Sequence, residues 1–175
     1  MNGRKQHCVA ILILCLLCFH VPDARAQIPE LKQKASPITI DGVKRLIQDR
    51  KGKVLFLNLW ATWCAPCVQE FPDIATLRTL YSDSIVDIVG ISVDYPDERE
   101  SKVLPFLDSL RITFTVYIAD VHRQDDLINA IEPAWSGAVP ATFIYDRHSA
   151  RRSFLLGQKD LKIFKVRVDS ALTVR

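Results

Sequence analysis

Two cysteines close the run NLWATWCAPC, Asn58 to Cys67, with only Ala65 and Pro66 between them. A pair at this spacing can bridge, hold a metal or exchange disulfides. A bridge would close a loop too small to restrain much of the unfolded chain, so stability is a poor reason for it. Exchange needs a thiolate, and therefore a site that lowers a cysteine pKa from about 8.5. The N-terminus of a helix is such a site, because unpaired amide N–H groups and the positive end of the dipole converge there. If Trp60 ends a strand and Val68 lies in a helix, Cys64 occupies that position and becomes the nucleophile. Cys67, one turn in and more buried, becomes the resolving thiol. As a metal site, the cysteines would need His122 or His148 as companions for zinc or copper. Both histidines stand in polar segments that read as solvated surface.

The flanking elements must place the pair. KVLFLNLW, Lys53 to Trp60, is a nearly unbroken apolar run, as expected of a strand buried on both faces of a sheet. Val68 to Tyr81 reads as a helix with Cys67, Phe71, Ile74 and Tyr81 on one face, and Pro72 within it should kink it. Ahead of the strand, Ile40, Val43, Leu46 and Ile47 recur at helical spacing and predict a helix ending near Gly52. IVDIVGISVD, Ile85 to Asp94, predicts a second central strand, and RESKVLPFLDSL a helix after it. FTVYIAD is a further strand, Asp125 to Ile131 a helical turn or two, and Ala141 to Asp146 a strand with RSFLLG as its hairpin partner. A terminal helix starts after a cap at Asp160. Alternating strands and helices imply parallel pairing, followed by a closing β-β-α unit.

Arg4 and Lys5, the apolar stretch from Cys8 to Val21 and Ala24-Arg25-Ala26 have the order of a secretory signal, residues 1–26, cleaved after Ala26. Cleavage removes Cys8, Cys15 and Cys18 and leaves Cys64 and Cys67 alone. It also lowers the formal charge of +3 to about +1, which offers nothing to nucleic acid. Residues 27–175 fit one domain of ordinary size. If the signal is not cleaved, the chain is membrane-tethered instead.

WATWCAPCVQEFP, VGISVD and GAVPATFIYD, in that order, resemble the thioredoxin superfamily and its exported TlpA/ResA-like branch over essentially the whole mature chain. The resemblance implies an α/β, three-layer thioredoxin-like fold: a central mixed β-sheet flanked by helices, with the central insertion of that branch. It makes Val139-Pro140 the cis-proline element that lies against the cysteines, pairs with the backbone of an extended substrate and keeps metals away. Trp63 and Pro66 would border the nucleophile, and Trp135 and Gly137 either line the groove or pack the loop. Thioredoxin proper carries a buried aspartate where this chain has Asn58. The exported branch commonly pairs asparagine there with a glutamate three residues after the second cysteine, here Glu70, which would accept the proton of Cys67. The turn after Asp146 lacks the glycine often found there, and a peroxidase would need threonine where this chain has Ala61.

Pro66 contributes no N–H and the dipeptide holds no histidine, so the Cys64 thiolate is weakly stabilised and the couple should be reducing. The expected function is a thiol-disulfide oxidoreductase of the periplasm or cell exterior, with no cofactor beyond the Cys64–Cys67 disulfide and no metal. By resemblance, its partners are disulfide-containing exported proteins, such as apocytochrome c, and a membrane electron donor of the DsbD/CcdA type. A disulfide-forming oxidase and a copper-binding chaperone are the competing readings.

Overall fold

The computed structural model describes residues 35–174, so the expected signal segment with Cys8, Cys15 and Cys18 lies outside the described residues. Six strands form one sheet: β1 (Ser36–Ile38), β2 (Val54–Trp60), β3 (Val86–Ser92), β4 (Thr115–Ala119), β5 (Ala141–Tyr145) and β6 (Arg151–Leu156), in the order β1-β4-β3-β2-β5-β6. The first four are parallel to their neighbours, while β5 runs antiparallel to β2 and β6 antiparallel to β5. The sheet is therefore mixed, with its parallel part built by helical crossovers and its antiparallel edge by the predicted hairpin.

Burial of β2 on both faces explains its unbroken apolar sequence. Val54, Phe56 and Trp60 face one core with Phe71, Ile74, Leu77, Val103, Phe164 and Val168. Leu55, Leu57 and Leu59 face the other with Val43, Leu127 and Phe143. Helices α2 (Ala65–Leu80), α3 (Leu104–Ser109) and α5 (Leu161–Leu172) thus cover one face, and α1 (Ile40–Gln48) and α4 (Gln124–Ile131) the other, making three layers. Among the described residues no helix is long and apolar enough to cross a membrane.

Several elements depart from expectation. β1 was not visible in the sequence, being three residues with Pro37 at their centre; it lies at the sheet edge, where a proline costs no central ladder bond. α1 stops at Gln48 rather than near Gly52, because Lys51 (φ 50°) and Gly52 (φ 78°) form a left-handed turn into β2. The helix predicted over RESKVLPFLDSL is composite, a π turn at Arg99–Val103 and then α3, and a 3-10 turn at Pro96–Glu98 precedes it. Pro105 lacks the N–H that a regular ladder would use, and Leu104 N–H bonds back to Arg99 C=O instead. In the turn after Asp146, Ser149 takes the positive φ (66°) that the absent glycine would have supplied. The buried Asp146 carboxylate holds that turn, accepting from His148 N–H at 2.8 Å, Ala150 N–H at 3.0 Å and Arg152 Nε at 2.6 Å.

Candidate active site

The site lies at the end of the central strands where β2 finishes and β5 begins. Cys64 is the N-cap of α2, extended at φ −89° and ψ 97°, and its Sγ accepts the Cys67 N–H at 3.3 Å. The two sulfurs are joined in a disulfide, Cys64 being 6% exposed and Cys67 fully buried. The N-cap position arises locally: Cys64 N–H turns back to Ala61 C=O, Val68 N–H takes Cys64 C=O as the first helical bond, and Pro66 sits in the first turn, where its missing N–H costs nothing. Trp63 and Pro66 border the pair from solvent, Trp63 being 63% exposed.

Behind the disulfide, a polar network crosses three elements. Asn58 lies in β2 on the side of Phe56 and Trp60, so its side chain meets α2. Its Nδ2 donates to Glu70 Oε1 at 2.9 Å and to Thr142 Oγ1 at 3.0 Å, Thr142 being its cross-strand partner in β5. Glu70 Oε2 accepts the backbone N–H of Lys159 at 3.0 Å, which ties the start of α5 to the network. Glu70 is 1% exposed, and burial pushes its carboxyl up to about 7, against the opposing pull of the Lys159 and Asn58 hydrogen bonds.

The Val139-Pro140 bond is cis, as expected, with Pro140 buried and Val139 half-buried and packed against both cores. Pro140 C=O accepts from Gly157 N–H at 2.8 Å, whereas among the described residues neither the N–H nor the C=O of Val139 has a hydrogen-bond partner. Trp135 is buried, stacks edge-on with Phe143 and donates Nε1–H to Ala138 C=O at 2.8 Å, so it packs the loop rather than lining a groove. Trp60 is core, wedged against Phe71 and Phe106. His122 and His148 are exposed.

Sequence reading missed a second clamp. Buried Asp94, two residues beyond β3, accepts Thr62 N–H at 2.9 Å, Thr62 Oγ1–H at 2.6 Å and Ser92 Oγ–H at 2.6 Å, which holds the loop leading into Cys64. The aspartate ending VGISVD was visible, but its partner lies more than thirty positions away. Thr142 and the Lys159 amide were missed for the same reason.

A profile of the AhpC/TSA family matches residues 24–150. The thiol-disulfide oxidoreductase ResA of Geobacillus thermodenitrificans is 30% identical over 131 residues, 75% of this chain and 70% of that protein. The thioredoxin-like protein YneN of Bacillus subtilis is 32% identical over 131 residues, covering 75% and 72%. Among solved structures, a thiol:disulfide interchange protein of the thioredoxin family from Chlorobium tepidum superposes with a TM-score of 0.61 at 26% identity, covering 71% of this chain and 83% of that one.

Proposed function

The chain belongs to the thioredoxin-like AhpC/TSA family and is a thiol-disulfide oxidoreductase, and from that premise we propose that it reduces disulfides in exported client proteins through Cys64 and Cys67. The observation that carries the proposal is the seat of the nucleophile. Among the described residues a single amide, that of Cys67, donates to Cys64 Sγ, and Pro66 has none to add. One donor favours a thiolate, but less than a fully furnished helix terminus would, which supports a reducing couple.

In the cycle, the Cys64 thiolate attacks one sulfur of a client disulfide, forming a mixed disulfide and releasing the other client sulfur as a thiolate. Cys67 then attacks Cys64 Sγ, passing its proton to the Glu70 carboxylate. This forms the Cys64–Cys67 disulfide and releases the second client thiolate. Two electrons have moved to the client, and the disulfide-bonded pair seen here is the oxidised product. A dithiol donor of the DsbD/CcdA type returns the electrons. The free N–H and C=O of Val139 support pairing with the client backbone, while Trp63, Pro66 and Pro140 shape the approach. The signal-like residues 1–26 support a location outside the cytoplasm, and apocytochrome c is one client class that fits. No cofactor beyond the cysteine pair enters this chemistry.

The test is the reduction potential of the pair, read as free thiol after equilibration in graded thiol buffers. A value near or below about −270 mV is expected. One nearer −120 mV would make the protein an oxidant of client thiols. Stoichiometric copper retention without a reversible couple would replace the enzyme by a metal carrier.

A further inference from the structure

The Asp94 carboxylate is 2% exposed, and every hydrogen bond it makes is one it accepts. Thr62 N–H lies 2.9 Å from Oδ2 and 3.2 Å from Oδ1, Thr62 Oγ1–H donates to Oδ1 at 2.6 Å, and Ser92 Oγ–H donates to Oδ2 at 2.6 Å. That pattern suits the ionised form, which carries acceptors only. Little counters its charge. Among the described residues Asp94 forms no salt bridge. Lys102, on the π turn, pairs with Glu98, and the charges of Glu98 and Asp94 together hold its ammonium pKa up, but its side chain is half exposed to water.

The nucleophile is close to this charge. Thr62 precedes Cys64 by two residues, so their backbones lie within about 7 Å of each other and the carboxylate within about 10 Å of the Cys64 backbone. At that range, with an effective dielectric near 20, two like charges oppose each other by about one pKa unit. The donors just before the nucleophile are withdrawn as well. Thr62 N–H and Oγ1–H are committed to Asp94, and Cys64 N–H to Ala61 C=O, so none of the three serves Cys64 Sγ. Both effects destabilise the thiolate relative to the disulfide, which makes the couple more reducing.

We propose that Asp94 is a positioning residue that keeps the Cys64–Cys67 couple reducing, by fixing a negative charge beside the nucleophile and drawing the Thr62 donors away from it. The proposal rests on the exchange function above and deepens it by naming what holds the couple low. Asp94→Asn keeps an acceptor oxygen and removes the charge. With Cys67→Ser in both backgrounds, the pH midpoint of Cys64 alkylation should fall by about one unit. With the dithiol intact, the reduction potential should rise by about 30 mV, a tenfold change in the equilibrium constant, at a pH above both midpoints. Well below them, where Cys64 is a thiol in both proteins, the two potentials should converge; Glu70 titrates in both and cancels in the comparison. An unmoved midpoint, or a potential shift of one size at every pH, overturns the proposal. Thr62→Val controls for a loosened loop. It keeps the charge and removes a bond that neutralises it, so its Cys64 midpoint should stay or rise, and a fall overturns the proposal even if Asp94→Asn does not fold. The wild-type potential tests the reductase reading, whereas the difference between variant and wild type tests Asp94, so each can fail without the other.

Discussion

Glu70 shows how burial sets a residue's chemistry. With its carboxyl raised to about 7, the folded protein holds a proton that the unfolded chain releases above about pH 4.3. Stability is therefore fully favoured below the unfolded pKa, falls as pH rises toward about 7 and levels off above it. Glu70→Gln removes this slope. Denaturant titrations at pH 5 and 8 should show wild type losing about 2.5 kcal/mol more than the variant across that interval. The same slope in both would place the titration elsewhere. Asn58→Ala deletes a hydrogen bond that favours the carboxylate, so the inflection in exchange rate against pH should move upward. The resemblance to the exported branch makes Glu70, three residues after Cys67, the expected proton acceptor. The Lys159 amide it accepts, and the bond from Asn58 to Thr142 behind it, were not legible, because those partners lie far apart in the chain.

At the scale of elements, the loop joining α4 to β5 delivers the cis peptide to the cysteines. Gly137 carries it through φ +82°, and a Cβ there would stand 2.9 Å from Ile128 Cδ1. Gly137→Ala should therefore cost about 1–3 kcal/mol, read as a lower denaturation midpoint. It should also reduce turnover of peptide disulfides, since the Trp135 bond to Ala138 ties this turn to Val139. Helix α2 was legible because its apolar spacing is a local signal, although it starts at Ala65 rather than at the expected Val68. Residues 99–110 were predicted as one helix from Phe106, Leu107 and Leu110, but Pro105 imposes a π turn that their spacing does not report.

Across the whole molecule, the last helix completes a site begun more than ninety residues earlier. Phe164 of α5 packs edge-on against Phe56 of β2 at 5.1 Å between ring centroids, both fully buried, and the N–H that holds Glu70 lies just before α5. Phe164→Ala should cost about 3–5 kcal/mol, with the urea midpoint lowered and the slope unchanged. The loosened Lys159 contact should also raise the Glu70 inflection. A variant with lower stability but an unmoved inflection would show that α5 supports the fold without tuning the carboxyl.

By itself the sequence determined what is local: a dithiol at a helix start, strands read from unbroken apolar runs and a carboxyl one turn beyond Cys67, to which the family resemblance added the cis-proline. Only the tertiary structure decided which polar groups meet. The strand order β3-β2-β5 brings Asp94 to Thr62 and Asn58 to Thr142, and such neighbours arise from pairing between distant segments. Hydrogen bonding and burial depend on that proximity rather than on position along the chain, which is why the dithiol was readable and the network around it was not.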